Sequence, residues 1–219
     1  MIIAIDGPAG SGKSTTAKYV ADKLNFVHIN TGSMYRAIAL KCIQENIDIH
    51  SQSRLEHVLS NTKFYFDLDN GSALIMDGVD ISSKINLAKV TEAVSRISAI
   101  KMVREKLVEY QREMAVGLNV VLEGRDIGTV VFPEADFKFY LVAEIKERAI
   151  RRKKDMDLNG EFVTLEELML DIQERDRMDS NRRYSPLKKA KDALELNTTN
   201  LTIDEQVDCI VRIIKKKIK

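Results

Sequence analysis

Short apolar runs alternate with longer segments of helical periodicity along most of the chain. The first run, residues 1–5, carries no polar alternation, which is typical of a strand that is buried on both faces. Runs of similar character stand at residues 26–30, 119–124, 137–143 and 192–199. Because strands that alternate with helices pair in parallel, this pattern predicts a parallel sheet of about five strands, covered by helices on both faces.

Apolar residues at helical spacing fill most of the segments between these runs. They predict helices at residues 13–24, 33–44, 91–116, 144–154, 164–179 and 203–219. Residues 62–81 break this plan, because aromatic and β-branched residues alternate there around turn signals at 69–71 and 77–78. That pattern predicts a small antiparallel insert of about three strands. A further turn signal at 159–160 separates two charged helices.

Composition and charge narrow the class of protein. With 219 residues, 44% hydrophobic and 31% charged, the chain has ordinary globular composition and needs no disulfide or metal to stabilise a core. Its net charge of +1 supplies no overall electrostatic field that would attract nucleic acid or an anionic membrane. Cys42 and Cys209 show no paired spacing, and no apolar stretch is long enough for a membrane span or a signal-peptide core. We therefore expect a cytoplasmic protein that binds small molecules and neither nucleic acid nor membranes. The sequence shows no long exposed apolar stripe, which favours a monomer.

The segment after the first strand carries a phosphate-binding motif, GPAGSGKS at residues 7–14. It matches the pattern G-x-x-x-x-G-K-[ST] and stands between a strand and a helix, as that pattern requires. Backbone N–H groups of such a loop, together with the following helix N-terminus, bind phosphate oxygens. Lys13 is predicted to reach the β- and γ-phosphates of ATP, and the Ser14 hydroxyl to bind Mg²⁺. The predicted ATP-binding residues are Gly7, Pro8, Ala9, Gly10, Ser11, Gly12, Lys13, Ser14 and Thr15.

The motif alone leaves the reaction open, and the rest of the chain narrows it. The guanine-binding string N-K-x-D of GTPase switches does not occur in the sequence. Helicases and oligomeric ATPases need sensor residues and a larger domain than this chain offers. The sequence therefore predicts a small-molecule kinase of the P-loop NTPase class, with a three-layer α/β/α core. Such an enzyme needs a second site for its acceptor.

Arginines distributed along the chain are the candidates for this second anion site. Arg125 follows a strand, at the edge where open α/β sheets bind ligands. Thr31, Tyr35 and Arg36 follow another strand, in positions to face the phosphate loop. The remaining candidates are Arg148, Arg151, Arg152, Arg175, Arg177, Arg182 and Arg183. For each arginine alone, a solvated helix face is the alternative, and Arg104 on its own would be assigned to the surface.

Three strings together resemble the bacterial cytidylate kinases, which transfer the γ-phosphoryl group of ATP to CMP or dCMP. They are IDGPAGSGKST at residues 5–15, TGSMYRAIAL at 31–40 and EGRDIGTVVFP at 123–133. The third string is far more specific than the phosphate loop, and the 62–81 segment resembles an insert of the bacterial form. The similarity runs essentially end to end. It implies ATP and Mg²⁺ as cofactors, and CMP and dCMP as substrates.

The resemblance also implies roles for the matching positions. The predicted catalytic residues are Lys13, Arg125, Arg148, Arg151 and Arg175. Of these, Arg148, Arg151 and Arg175 are the arginines that the resemblance places around the migrating phosphoryl group. The implied substrate-binding residues are Thr31, Tyr35, Arg36, Ser95, Arg104, Arg125, Asp126, Asp179 and Arg182. Arg36 and Arg125 would contact the substrate phosphate. The cytosine and the sugar would be contacted by Ser95, Asp126, Asp179 and Arg182. No general base is required, because the attacking oxygen belongs to an ionised monophosphate.

The resemblance further divides the single P-loop kinase unit into three parts. The core is implied at residues 1–30, 117–143 and 164–219, and the nucleoside-monophosphate subdomain, with the antiparallel insert, at residues 31–116. A helical lid is implied at residues 144–163, where it would close over bound substrates and exclude water.

Alternatives stay open at this point. Glu123 and Asn30 stand where the family often has aspartate, so the reach of Glu123 toward Mg²⁺ is one open question. Ser95 is equally well explained as a small packing residue of a helix. For the function, the alternatives are another small-molecule kinase, with UMP, AMP or shikimate as acceptor, and a sensor that binds ATP without turnover.

Overall fold

The computed structural model describes residues 1–67, 73–158 and 162–218. The turns predicted at 69–71 and 159–160 lie outside these residues. In the part of the chain that is described, no helix combines the length and the apolar character that crossing a membrane requires.

The chain divides into two compact units, one formed by Met1–His28 with Leu118–Lys219 and the other by Ile29–Gly117. The strands are β1 (Ile2–Asp6), β2 (Val27–Asn30), β3 (Phe64–Asp67), β4 (Ala73–Met76), β5 (Val79–Asp80), β6 (Val120–Gly124), β7 (Phe137–Val142) and β8 (Leu194–Asn197). The helices are α1 (Lys13–Leu24), α2 (Thr31–Gln44), α3 (Gln52–Asn61), α4 (Ala88–Ile97), α5 (Lys101–Met114), α6 (Ile145–Leu158), α7 (Leu165–Asn181) and α8 (Ile203–Ile218). A short 3₁₀ turn at Lys84–Asn86 precedes α4, and a π-helical turn at Ile127–Val131 follows β6.

The main sheet has the strand order β2-β6-β1-β7-β8 within the described residues. The central strand β1 runs parallel to β6 and to β7, and β7 runs parallel to β8. Asp6, the last residue of β1, is in register with Gly124 of β6 and Tyr140 of β7. The carboxyl ends of these strands therefore meet at one edge, where open α/β sheets bind their ligands. The predicted parallel sheet of about five strands is confirmed.

Apolar side chains of β1 and β7 pack against α1 and α8 to form the core of the first unit. Ile5 and Leu141 on the strands, and Val20 and Ile210 on the helices, are completely buried. Ala4 and Ile5 point to opposite faces of β1 and are both buried, which is why β1 shows no polar alternation. This packing fixes the end of β1 and the start of α1, and so holds both ends of the loop between them.

The second unit combines α2, α3, α4 and α5 with a small antiparallel sheet in the order β3-β4-β5. Its core includes Met34 of α2, Leu55 of α3 and Leu107 of α5. The hairpin from β4 to β5 turns at Asp77 and Gly78, whose φ angles are 51° and 81°. Two consecutive positive φ angles are those of a two-residue type I′ turn, which favours Asp-Gly. The predicted antiparallel insert is confirmed.

The single helix predicted over residues 91–116 is wrong, because two helices, α4 and α5, occupy that region with a break at 98–100. In a continuous helix, the carbonyl of Ser98 would accept the N–H group four residues later. It accepts instead a hydrogen bond from Arg104 Nη1 at 3.1 Å. The buried guanidinium of Arg104 thus satisfies the carbonyl that the break leaves without a helical partner. Helical periodicity in the sequence does not predict such a contact.

Candidate active site

The segment between β1 and α1 is a tight loop with glycine at its closest approaches to neighbouring backbone. Gly10 has a φ of 73°, and a Cβ atom there would lie 3.0 Å from Cβ of Arg148 and 3.1 Å from its carbonyl oxygen. A Cβ atom at Gly7 would lie 2.2 Å from the carbonyl oxygen of Leu141. A side chain at either position would displace the backbone of α6 or β7. The predicted phosphate loop is therefore packed directly against both elements.

Lys13, the predicted phosphate-binding lysine, is buried at the end of this loop. Its Nζ donates hydrogen bonds to the carbonyl oxygen of Pro8 at 2.6 Å and to Oγ of Ser11 at 3.3 Å. Burial, reinforced by the guanidinium groups of Arg125 and Arg175, lowers the pKa of Lys13 well below its ordinary value. Because the surroundings disfavour a further positive charge, an anion bound at the loop would stabilise the charged lysine.

Ser14 and Glu123 place two oxygen donors side by side at the start of α1. Ser14 Oγ donates a hydrogen bond to Glu123 Oε2 at 2.8 Å, so the longer glutamate side chain does reach the loop hydroxyl. Glu123 Oε1 lies 3.9 Å from Nε2 of His28. Burial lowers the pKa of His28, although the negative charge of Glu123 acts in the opposite direction. A hydroxyl and a carboxylate are oxygen ligands of the kind that Mg²⁺ prefers, so this pair fits the predicted ion.

Asp6, the last residue of β1, joins the loop to the turn that follows β6. Its Oδ1 accepts a hydrogen bond from the N–H of Ile127 at 2.9 Å, and its Oδ2 accepts one from the N–H of Gly128 at 2.8 Å. Burial raises the pKa of Asp6 to about 6, although both N–H groups act in the opposite direction. This carboxyl group holds the backbone that directly follows Arg125 and Asp126.

The turn after β6 and the end of α7 form a buried cluster of alternating charge. Arg125 Nε donates a hydrogen bond to Asp179 Oδ2 at 2.9 Å. Arg182 Nη1 lies 3.5 Å from Asp179 Oδ1, and Arg182 Nη2 lies 3.7 Å from Asp126 Oδ1. Burial by itself would raise the pKa of Asp179, but Arg125, Arg182 and Arg175 hold it below its ordinary value. The structure thus brings together four residues that the sequence assigns to the substrate site.

The predicted catalytic arginines of α6 contact the backbone around the loop. Arg148 is buried, and its Nη1 donates hydrogen bonds to the carbonyl oxygen of Ala9 at 2.9 Å and to the carboxylate of Asp176. Arg151 donates from Nη1 to the hydroxyl of Thr198 at 3.1 Å and from Nη2 to the carbonyl oxygen of the same residue at 2.6 Å. Both side chains are therefore oriented by protein contacts close to the loop.

The second unit holds further residues that the sequence assigns to the substrate site. Arg104 is buried, and its guanidinium carbon lies 5.1 Å from the ring centre of Tyr35, a cation–π geometry. Arg36 Nη1 donates hydrogen bonds to the carbonyl oxygen of Ile85 at 3.1 Å and to Oγ1 of Thr91 at 2.9 Å. Arg104 is therefore not the surface residue that its charged neighbours in sequence indicate.

Thr31 and Ser95 lie on two different helices of this unit. Thr31 is buried at the first position of α2, directly after Asn30, whose Oδ1 accepts a hydrogen bond from the N–H of Ser33 at 3.1 Å. Asparagine caps a helix as well as aspartate does, which accounts for the amide at this position. Ser95 is half-buried on α4, and its carbonyl oxygen accepts a hydrogen bond from Oγ of Ser98 at 3.1 Å.

Polar residues far along the chain also support the loop, and the sequence patterns miss them. Gln206 of α8 is completely buried, and its Oε1 accepts a hydrogen bond from Oγ1 of Thr16 at 2.8 Å. The hydroxyl of Thr198 donates a hydrogen bond to the carbonyl oxygen of Ser11 at 3.2 Å. Neither residue belongs to a motif. Asp6, by contrast, directly precedes the loop motif, and its position at a strand end was a usable signal.

Comparison with known proteins places this arrangement in a family. The family model described as cytidylate kinase matches residues 3–216. The chain belongs to the cytidylate kinase family. Its relatives include the cytidylate kinase of Fusobacterium nucleatum, 46% identical over 217 residues, and that of Desulforamulus reducens, 47% identical over 214 residues. These alignments cover 99% and 98% of this chain, and 98% and 96% of the two relatives.

Solved structures that resemble this cytidylate kinase family member support the fold. An uncharacterized protein from Eubacterium ventriosum aligns with a TM-score of 0.54 at 13% identity, covering 99% of this chain and 98% of that chain. A gluconokinase from Sinorhizobium meliloti aligns with a TM-score of 0.51 at 12% identity, covering 99% and 94% of the two chains. At such low identity, the likeness concerns the fold alone.

The buried carboxyl group of Asp6 generates a pH-dependent prediction. Its pKa of about 6 lies above its ordinary value, so the folded state binds this proton more tightly than the unfolded state does. The contribution of Asp6 to the free energy of unfolding is therefore greatest at low pH and decreases by roughly 3 kcal/mol as the pH rises to about 7. Urea unfolding of the wild type and of Asp6→Asn between pH 4.5 and 7.5 measures the difference in their free energies of unfolding at each pH.

Asp208→Asn is the matched control, because Asp208 is exposed and bound to Lys23, which lowers its pKa. The stabilising contribution of Asp208 is therefore lost as the pH falls, the opposite direction to that of Asp6. A free-energy difference between the wild type and Asp6→Asn that stays constant from pH 4.5 to 7.5 would contradict the assignment of the raised pKa.

Proposed function

We propose that this chain transfers the γ-phosphoryl group of ATP to CMP or dCMP, giving CDP or dCDP and ADP. Family membership over nearly the whole chain supports the reaction. The observation that carries the proposal is the buried Lys13 of the phosphate loop, whose ammonium group donates hydrogen bonds to the uncharged oxygens of Pro8 and Ser11. Next to the loop, the cluster of Arg125, Asp179 and Arg182 offers both cations for a phosphate and carboxylates for hydroxyl or amino groups.

The loop residues Gly7 to Thr15 are proposed to bind the phosphates of ATP. Lys13 would contact the β- and γ-phosphates, and the backbone N–H groups at the start of α1 would add their partial positive charge. Ser14 and Glu123 would hold Mg²⁺, directly or through water, because their oxygens are adjacent. When bound, Mg²⁺ neutralises charge on the phosphate oxygens.

The residues that the sequence assigns to the substrate are proposed to bind the acceptor nucleotide. Arg36 and Arg125 would hold its phosphate, since guanidinium groups recognise phosphate through paired hydrogen bonds. The proposed surroundings of the phosphate and nucleoside are Thr31, Tyr35, Ser95 and Arg104 of the second unit. Asp126 and Arg182 are proposed for the base and ribose, and Asp179 for the sugar hydroxyls. Buried polar groups of this kind would remain unpaired against a wrong base, which gives selectivity.

Catalysis in this proposal consists of positioning and charge neutralisation. The attacking phosphate oxygen is already ionised, so no side chain has to remove a proton. Arg148, Arg151 and Arg175 would neutralise the charge of the migrating phosphoryl group. Closure of Arg148–Asp157 over the substrates would exclude water and limit hydrolysis of ATP. We also propose the division into a core (residues 1–30, 117–143 and 164–219), a nucleoside-monophosphate subdomain (31–116) and a lid (144–163).

The setting that we propose is the cytoplasm, where the chain acts as a monomer on free nucleotides. Cys42 and Cys209 are both free thiols, as is usual in a reducing compartment. The balanced net charge of +1 gives no general attraction for nucleic acid or anionic lipid.

An acceptor panel tests the proposed reaction. Formation of ADP from ATP with Mg²⁺ is measured in a coupled assay with CMP, dCMP, UMP, AMP, GMP and shikimate. We expect fast turnover with CMP and dCMP alone. Turnover with a different acceptor would contradict the assignments of Asp126, Asp179 and Arg182. Binding of ATP without turnover on any acceptor would indicate a nucleotide sensor.

Lys13→Ala should reduce kcat by about 10²–10⁴-fold, the range expected when an electrostatic contact to the transition state is lost. Lys18→Ala is the matched control, because Lys18 is exposed on the same helix and should leave the rate unchanged. Steady-state kinetics with CMP measures both variants. A rate near that of the wild type for Lys13→Ala would mean that Lys13 does not contact the transferred group.

Arg182→Ala should relax the preference for cytosine more than it slows phosphoryl transfer, because it removes a group assigned to base recognition. The neighbouring variant Arg183→Ala is the control. Arg183 is a candidate by sequence, but the structure leaves it exposed, with its guanidinium carbon 5.4 Å from the ring centre of Tyr184, so we do not assign it to the site. The measurement is kcat/KM for CMP and for UMP. Equal losses for the two nucleotides would rule out a base-reading role for Arg182.

A further inference from the structure

One carboxylate outside the residues assigned so far contacts the phosphate loop directly. Asp176 of α7 accepts a hydrogen bond at Oδ1 from the N–H of Ala9 at 3.0 Å. Its Oδ2 accepts a hydrogen bond from Nη1 of Arg148, and the same guanidinium nitrogen donates to the carbonyl oxygen of Ala9 at 2.9 Å. The ion pair of Arg148 and Asp176 therefore holds both backbone polar groups of Ala9.

The contact at the Ala9 N–H determines where the preceding carbonyl points. The N–H of Ala9 and the carbonyl of Pro8 belong to one planar peptide unit, in which the two groups point in opposite directions. With the N–H directed at Asp176, the Pro8 carbonyl is directed away from it, and there it accepts the 2.6 Å hydrogen bond from Lys13 Nζ. Asp176 thus acts on the lysine ammonium through a single rigid peptide unit.

We propose that Asp176 is a positioning residue for nucleotide binding. It orients the Pro8–Ala9 peptide so that the Pro8 carbonyl holds Lys13, and it keeps Arg148 on the loop. The inference rests on the proposed function only in that the loop binds nucleotide phosphates. It adds a residue from α7, far along the chain from the loop, to the machinery that sets the geometry of the phosphate site.

The chemistry of this contact requires a carboxylate. Two donors, one of them charged, approach two different oxygens of Asp176, and the side chain is only 19% exposed. An asparagine would offer one oxygen and one NH₂ group, so either the Ala9 N–H or the Arg148 guanidinium would face a donor. A glutamate keeps both acceptors on a longer stem. The tight approach of Gly10 to the backbone of Arg148 leaves the loop little room to adapt.

Binding of MgADP, measured by titration calorimetry, tests the proposal without any acceptor nucleotide. Asp176→Asn should raise the Kd for MgADP by about tenfold or more, as expected when a charge-assisted contact is lost. Asp176→Glu should fall between the wild type and Asp176→Asn. The matched control is Glu174→Gln, which neutralises an exposed carboxylate on the same helix that is bound to Arg177. Its Kd should stay within about twofold of the wild type.

Steady-state kinetics with CMP separates positioning of the loop from general damage to α7. Asp179 lies near the C-terminal end of α7, as Asp176 does, and Arg182 directly follows the helix. Misfolding of this end would therefore raise the KM for CMP as much as the KM for ATP. We expect Asp176→Asn to raise the KM for ATP and to lower kcat, with the KM for CMP within about twofold of the wild type.

Two results would overturn the proposal. One is a Kd for MgADP of Asp176→Asn within twofold of the wild type, and the other is an equal rise for Glu174→Gln. Should Asp176→Asn not unfold cooperatively in urea, Asp176→Glu decides, because an unchanged Kd for that variant would equally contradict a requirement for this geometry. If the wild type binds MgADP but does not phosphorylate CMP, the proposed reaction fails while the calorimetric test of Asp176 still stands.

Discussion

Burial of positive charge at one edge of a parallel sheet is the constraint on which the rest of this structure depends. Lys13, Arg125 and Arg148 are held in or near the protein interior, and an unpaired buried ion costs several kcal/mol. Each arginine is paired with a carboxylate of α7, Arg125 with Asp179 and Arg148 with Asp176. The parallel arrangement of β1 and β6 and the course of α7 are what bring these partners together.

Lys13 differs from the two arginines in the groups that receive its hydrogen bonds. The ammonium group donates to a carbonyl and a hydroxyl oxygen, and burial lowers its pKa. A polyphosphate bound at the loop would bring negative charge to this ammonium group. Binding and stability are linked at such a site, because a ligand that binds only the folded state stabilises it. The same geometry serves a transfer that needs alignment and neutralisation rather than proton removal.

Local patterns predict the parts of this protein that local sequence determines. An apolar run that ends at a glycine motif predicts β1 and the position of Lys13. Contacts between distant residues are not predictable in this way. Arg104 has charged neighbours in sequence and is nevertheless buried over Tyr35, and its bond to the Ser98 carbonyl accompanies the break between α4 and α5. Asp176 meets the loop only because α7 packs beside it. The family resemblance supplied Arg104, whereas no pattern supplied Asp176.

Transfer of the γ-phosphoryl group from ATP to CMP is the central claim, and isotope labelling tests it. ATP carrying ¹⁸O at its non-bridging γ-oxygens is incubated with CMP, Mg²⁺ and the protein, and the products are followed by ³¹P NMR. Phosphoryl transfer predicts that the β-phosphorus of CDP carries all of the label, while its bridging oxygen comes unlabelled from CMP. Appearance of the label in inorganic phosphate, with ADP formed and CDP absent, would contradict it.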